Sequence, residues 1–320
     1  MTFHEWTSEC VGPGHPDKVA DQLSDAVLDE CLSQDPKSRV ACEALVKGNL
    51  VVLAGEITTQ AEVDFQAVVS RTLMSVGYTY PFTFLNALTQ QSSEISAAVG
   101  DTDEGAGDQG IMFGYATNET STQMPLTSHL ARSLVDMLVW FRTEEPDYNM
   151  VAGDLLPDCK TQVTVLYDHD NGNPVRVSRV VLSTHHKDDL TLDELRDGIS
   201  ELFHNNWRRH HMDPGVSRLF ASETEWLVNP AGLWTVGGPE ADCGLTGRKI
   251  VVDNYGADCA IGGGCFSGKS AATMVDRSGA YAARYVAKNI VAQGAKHATV
   301  QRSYAIGRAD QCSFRVITDT

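Results

Sequence analysis

Three segments of the chain carry more glycine and charge than a connection between elements requires. The first is Gly12-Pro13-Gly14-His15-Pro16-Asp17-Lys18, which runs into an amphipathic stretch. A loop entering a helix N-terminus offers free backbone N–H groups and the positive end of the helix dipole, which attract an anion. The Asp17 carboxylate suits a hard cation such as Mg2+, and His15 and Lys18 add proton donors. Pro16 and Asp17 also serve simply to start a helix. The second segment is Glu104-Gly105-Ala106-Gly107-Asp108-Gln109-Gly110. Its glycines permit a backbone approach that a Cβ would forbid, with Asp108 at the point of approach, and a linker between domains reads equally well from it. The third is Gly262-Gly263-Gly264-Cys265-Phe266-Ser267-Gly268-Lys269-Ser270, which from Gly263 onward satisfies the phosphate-loop pattern G-x-x-x-x-G-K-S/T. A P-loop follows directly from a buried strand of a parallel sheet. Here the nearest strand pattern, 248–255, is separated by 256–261, and the surrounding pattern is antiparallel, so a P-loop ATPase is set aside. Glycines with Lys269 can still cradle phosphates, with Arg248 and Lys249 as a positive wall and Asp276 as a second carboxylate for a metal.

Charge supports a polyanion site in that region. The 320 residues carry a net charge of -17, yet residues 243–320 hold 10 Lys and Arg against 5 Asp and Glu. A cationic patch on an acidic protein suits a small polyanion, and the overall charge argues against nucleic acid. No apolar run is long enough to span a membrane and the N-terminus has no signal-peptide pattern, so a cytoplasmic protein is expected. Eight cysteines without a C-x-x-C pair suggest reduced, mostly buried thiols.

The elements that must position these segments repeat one order. Val19, Leu23, Val27 and Cys31 form a helical stripe, followed by a strand at 40–46, the turn Gly48-Asn49, a strand at 50–57 and a second helical face from Phe65 to Val76. Leu130, Leu134, Met137, Leu138 and Phe141 open the same sequence again. Strands at 163–167 and 175–182 flank Asn171-Gly172, and Thr191 with Glu194 makes a capping box before the next helix. A third copy has a helix at 276–290 and two strands, and the sequence ends before its second helix. Strand-like segments at 3–10, 111–116 and 226–236 precede the copies. The fold class expected is therefore α+β: three similar repeats of mixed or antiparallel sheet with helices on one face, about a pseudo-threefold, the third repeat truncated. The corresponding domains are 1–100, 101–224 and 225–320.

Taken together these segments closely resemble the S-adenosylmethionine synthetases. The resemblance rests on Gly105 to Gly110 with Phe113-Gly114-Tyr115-Ala116-Thr117-Asn118-Glu119, and on Gly262 to Lys269. It extends through His15-Pro16-Asp17-Lys18, Gly55-Glu56-Ile57-Thr58-Thr59, Gly237-Gly238-Pro239, Asp242 to Lys249 and Val275-Asp276-Arg277-Ser278, so it covers nearly the whole chain. The resemblance implies attack of the methionine sulfur on C5′ of ATP, release of triphosphate, and its hydrolysis to pyrophosphate and phosphate. It implies His15 beside the breaking bond, and Asp17 and Asp276 as ligands of Mg2+, two ions per site. Glu43 is implied as the ligand of K+, and Lys160, Arg248, Lys249 and Lys269 as the polyphosphate lining. Asp158 and Asp242 would contact nucleoside or amino-acid groups, Trp234 would lie against adenine, and Glu56, Gln91, Asp108 and Ile306 would form the methionine pocket. A homodimer with shared active sites follows from the resemblance, tetramers being common in the family.

The chain departs from the family pattern in places. Met274 stands where the family has Lys, in a segment one residue longer, so one phosphate or methionine contact is absent or supplied elsewhere. Ser270 replaces an acid and Leu233 an Arg. The stretch 80–104 is shorter than the usual loop over the active site, and the usual C-terminal segment is missing. These departures motivate an alternative, a noncatalytic nucleotide-binding or regulatory relative. The persistence of His15, Asp17, Lys160, Lys269 and Asp276 favours the enzyme.

Overall fold

The computed structural model describes residues 2–91, 105–206, 216 and 218–319. Most of the short loop expected over 80–104, namely 92–104, lies outside the described residues. In chain order the elements begin with β1 (Phe3–Val11), α1 (Pro16–Gln34), β2 (Arg39–Lys47), β3 (Leu50–Thr58), α2 (Phe65–Val76) and β4 (Thr83–Thr89). They continue with β5 (Gly110–Thr117), α3 (Leu126–Thr143), β6 (Leu155–Asp168), β7 (Pro174–His186), α4 (Leu192–Asn206) and β8 (Glu225–Val228). Last come α5 (Gly238–Ala241), β9 (Gly244–Leu245), α6 (Ile250–Asp253), α7 (Val275–Ala292), β10 (His297–Tyr304) and β11 (Ser313–Thr318). The mixed α+β class is as expected. Among the described residues no helix is long and apolar enough to cross a membrane.

The chain divides into two compact units, Met1–His15 with Thr120–Gly238, and Pro16–Glu119 with Pro239–Thr320. The first unit holds one sheet, ordered β1-β6-β7-β8. Strands β6 and β7 form a long antiparallel hairpin across Asn171-Gly172, where Gly172 has φ +72°, and β8 lies parallel to β7. Helix α3 buries Leu130, Leu134, Met137 and Phe141, and α4 buries Leu195, Ile199, Leu202 and Phe203. The capping box forms: the Thr191 amide donates to the Glu194 carboxylate at 2.9 Å, and the Glu194 amide returns a bond to the Thr191 hydroxyl at 3.3 Å.

The second unit holds two sheets, β4-β3-β2-β9 and β11-β10-β5. In the first, Lys47 pairs with Leu50 across Gly48-Asn49, a two-residue hairpin. The α1 stripe of Val19, Leu23, Val27 and Cys31 is wholly buried against Val40, Cys42, Leu53 and the α2 residues Val69 and Leu73. Each such side chain contributes about 1.5–3 kcal/mol by leaving water. The α1 helix stops at Gln34, just ahead of Pro36, whose ring disfavours helical backbone in the residue before it. The other sheet is covered by α7, whose Ala283 and Ala287 pack on Ala116 and Val300.

Two details differ from the sequence pattern. Residues 248–255 do not form a strand: the run Ile250-Val251-Val252 makes the short helix α6, half exposed, held at its end by Asp253 pairing with Lys18. The stretch 226–236 contributes only β8. The strands outside the hairpins also join sheets distant in sequence, β1 beside β6, β5 beside β10 and β9 beside β2, all antiparallel. Strand β4, which has no clear alternation, runs parallel to β3.

Candidate active site

In the second unit the N-terminal turn of α1 presents a carboxylate to a basic loop. Asp17 is 2% exposed. Its Oδ1 accepts the Leu245 amide at 3.0 Å and its Oδ2 accepts the Lys249 ammonium at 2.5 Å, with the Arg248 Nε at 3.6 Å. Burial alone would raise the Asp17 pKa, but the Lys249 bond, the Leu245 amide and the two cationic charges outweigh it and hold the carboxyl below its usual value. One turn on, Asp21 accepts the Gly247 amide at 2.9 Å. Lys18 lies between Asp253 at 2.6 Å and Asp21 at 3.1 Å. It is thus engaged in holding α6 and the basic loop to α1. Burial lowers the Lys18 pKa and these two carboxylates more than restore it, so its net shift is upward.

The glycine-rich segment lies along β2 as an added edge. The Cys42 amide donates to the Gly268 carbonyl at 2.9 Å, the Ser270 amide donates to the Val40 carbonyl at 3.2 Å, and Ala41 bridges Lys269 in antiparallel sense. Gly268 has φ +73°, and a Cβ there would fall 1.9 Å from the Cys42 carbonyl oxygen, so only glycine allows this approach. Lys269 is thereby aimed at the first turn of α7, where its ammonium bonds Asp276. Gly264 packs against the same carboxylate, a Cβ falling 2.6 Å from it. Burial lowers the Lys269 pKa, and the Asp276 bond with the nearby Glu43 charge brings the net shift upward, so the side chain stays cationic. Helix α7 begins six residues after Lys269, unlike a P-loop, in which the lysine opens the helix.

A third group of predicted residues comes together in one cavity of about 210 Å³. Glu56, Gln91, Asp108 and Ile306 line it, with Arg39 and Met274. The loop carrying Asp108 is tied to the end of β10 by the Ala106 amide on the Arg308 carbonyl at 2.9 Å and the Gly307 amide on the Ala106 carbonyl at 2.8 Å. Ser270, the departure from the usual acid, is buried. Its hydroxyl accepts the Val40 amide at 3.3 Å and meets the Thr273 hydroxyl at 2.6 Å, which fixes the turn that places Met274 on the cavity.

The remaining predicted residues divide between the units. Asp242 lies exposed on the α5–β9 connection of the second unit, its carboxylate accepting the Cys243 amide. In the first unit the Gly12 and Gly14 amides continue the β1 pairing by donating to Cys159 and Pro157 carbonyls at 2.8 and 3.1 Å, and His15, which follows, is 3% exposed. On the same strand Asp158 is buried and accepts the Gly238 amide at 2.8 Å, while Lys160 is exposed. Trp234 is held by backbone bonds to His186 on both sides: its amide donates to the His186 Nε2, and the His186 amide donates to its carbonyl, each at 3.1 Å. Leu233, the other departure near this position, is exposed.

Family models for the three domains of one enzyme match the chain in order: the S-adenosylmethionine synthetase N-terminal domain over residues 4–100, the central domain over 103–234 and the C-terminal domain over 236–320. The chain belongs to the S-adenosylmethionine synthetase family. Membership makes it a methionine adenosyltransferase, which forms S-adenosylmethionine from ATP and methionine. The family generally depends on Mg2+ and K+.

The residues present fit Mg2+. Asp17 and Asp276 are hard oxygen donors, each held beside an ammonium group, and among the described residues no cluster of three or more His, Cys, Asp or Glu forms a closed cage. Mg2+ bound through one or two carboxylates and substrate phosphates needs no such cage. Sequence reasoning overlooked Asp21, Asp25 and Arg277. The signal was there in Asp17, Asp21 and Asp25 at four-residue spacing, which puts three acids on one face of α1.

Proposed function

We propose that the chain forms S-adenosylmethionine by in-line attack of the methionine sulfur on C5′ of ATP. The S–C bond forms as the C5′–O bond breaks, the bonding pair leaves with the triphosphate, and the product sulfonium carries the positive charge. Negative charge grows on the leaving oxygens, so cations already in position stabilise the transition state more than the bound substrate. Arg248, Lys249, Lys269 and Lys160 take that role, and His15 stands by the breaking bond as a hydrogen-bond donor to the departing oxygen. The arrangement of Lys249 on Asp17 and Lys269 on Asp276 carries this reading, because it holds two lysine side chains in place beside the carboxylates. Asp17 and Asp276 would hold Mg2+, two ions per site, which would supply charge neutralisation of the triphosphate, and Glu43 would hold K+. Trp234 offers an indole face to adenine, and Asp158 and Asp242 contact nucleoside or amino-acid groups. Glu56, Gln91, Asp108 and Ile306 bind methionine. The triphosphate is then hydrolysed to pyrophosphate and phosphate in the same cationic setting.

Three similar domains, with boundaries near 100 and 224, are supported by the recurrence of one topology: a helix followed by an antiparallel hairpin, with an outside strand antiparallel to the hairpin's first strand. The assembly proposed is a homodimer with shared active sites, in the cytoplasm.

The test is incubation of the purified protein with ATP, L-methionine, Mg2+ and K+, following S-adenosylmethionine, triphosphate and phosphate by chromatography and mass spectrometry. S-Adenosylmethionine with phosphate is expected. ATP hydrolysis without S-adenosylmethionine overturns the proposal.

A further inference from the structure

The 210 Å³ cavity of the second unit is smaller than the roughly 300–1,000 Å³ typical of drug-sized ligands, which suits an amino acid. Its lining contains two carboxylates, Glu56 and Asp108, and an apolar wall that includes Met274 and Ile306. Among its described lining residues Arg39 is the only cationic side chain. Met274, where the family has Lys, immediately precedes α7, and its amide donates to the Ser270 carbonyl at 2.9 Å. A thioether cannot form the ion pair open to a lysine, so this wall offers no cation.

Arg39 is placed to supply it. On β2, Arg39 and Ala41 alternate with Val40 and Cys42, which are each 1% exposed and face the core. Glu56 on β3 lies directly opposite Ala41, and Thr58 opposite Arg39. Arg39 and Glu56 are thus diagonal neighbours on one face of the sheet, with backbones about 7–8 Å apart, close enough for both side chains to reach one small molecule. An α-amino acid has a carboxylate and an ammonium group on the same carbon. A guanidinium next to a carboxylate matches that zwitterion, and the planar fork of Arg binds a carboxylate through two parallel bonds.

We infer that Arg39 is the carboxylate anchor of the amino-acid substrate in this chain, supplying the cation that Met274 cannot, with Glu56 and Asp108 receiving the ammonium group. The inference rests on the proposed reaction and names the group in it that selects a free α-carboxylate. Met274 turns its wall of the cavity to the apolar side chain.

The test compares wild type with Arg39→Ala, Arg39→Lys and the double variant Arg39→Ala/Met274→Lys. Arg39→Ala is expected to raise the KM for L-methionine at least tenfold while the KM for ATP stays within twofold. The double variant is expected to recover a large part of that affinity, because it returns a cation to the cavity lining. A binding readout is independent of turnover: calorimetric competition between L-methionine and L-methioninamide, which lacks the carboxylate. Wild type and Arg39→Lys are expected to prefer methionine at least tenfold, and Arg39→Ala to abolish the preference. An unchanged methionine KM in Arg39→Ala, or equal rises in both KM values, overturns the inference. So does wild type showing no preference over the amide, which decides the matter even where Arg39→Ala does not fold. Wild type making no S-adenosylmethionine sinks the underlying reaction instead, an outcome separate from any result with Arg39.

Discussion

Replacing Arg277 removes a single side chain that ties the glycine-rich loop to two helices. From the first turn of α7, its Nη1 donates to the Asp25 carboxylate on α1 at 3.0 Å, to the Phe266 carbonyl at 3.1 Å and to the Lys269 carbonyl at 3.2 Å. Its Nε donates to the Tyr281 hydroxyl at 2.7 Å. Asp25 in turn accepts the Gly268 amide at 3.0 Å, so both ends of the Phe266 to Lys269 turn hang on this network. An Nη nitrogen carries two hydrogens, so the three acceptors share two bonds' worth of donation. Hydrogen bonds to charged groups contribute about 1.5–3 kcal/mol, and the partial exposure of Asp25 favours the low end. Arg277→Leu is then expected to cost about 3 kcal/mol. Arg277→Lys, which can keep one of the two bonds, should cost about half that. Equilibrium urea unfolding measures both. Because the Lys269 backbone is no longer anchored, the KM for ATP should rise about tenfold in the Leu variant, with a smaller rise in the Lys variant. A destabilisation in Arg277→Leu below about 0.5 kcal/mol, the range of an ordinary surface substitution, with ATP binding unchanged, refutes the reasoning.

Other perturbations read the neighbouring groups. Lys249→Met takes the ammonium partner from the buried Asp17 carboxylate, whose Leu245 amide and half-exposed Arg248 contacts remain. It should cost about 3 kcal/mol, the lower end for a broken buried pair, and adding Asp17→Asn should recover much of that in the same urea titration. Because its folded pKa lies below the usual 3.8, Asp17 contributes stability that is complete above that pH and lost as pH falls through the folded value, so the acid-unfolding midpoint should sit at higher pH in Lys249→Met than in wild type. Gly268→Ala must relieve both a left-handed backbone and contact with the Cys42 carbonyl. A destabilisation of about 2–4 kcal/mol is expected, and a neutral result would mean that the loop does not lie along β2. Burial pushes the Cys42 thiol up to about 12 and the Cys259 thiol to about 11, whereas Cys312 is exposed. Iodoacetamide at pH 8 should label Cys312 in the native protein and Cys42 only after denaturation, as peptide mass mapping would record.

Local period explains what could be read from the residues alone. The four-residue stripe of Val19, Leu23, Val27 and Cys31, the Thr191–Glu194 capping box and the Gly48-Asn49 turn each act within a few positions, so their elements follow from nearest-neighbour chemistry. The types of many site residues were legible for the same reason: glycines, carboxylates and lysines in short motifs advertise a phosphate and metal site wherever the fold puts them. The run Ile250-Val251-Val252 misled because β-branched residues read as strand, while the Asp253 tether to Lys18 and the bend around it decided for a helical turn.

Pairings across hundreds of positions belong to the tertiary structure. Which edge β1, β5 and β9 would join depended on open hydrogen-bonding edges and matching faces that no local pattern encodes. The grouping of Arg39 and Glu56 with Asp108 and Met274 around one cavity arose the same way, from β2 pairing with β3 and from the glycine-rich segment lying along β2. Residue types thus determined what chemistry was available. Backbone pairing, which depends on the whole chain burying its apolar faces at once, decided which groups meet.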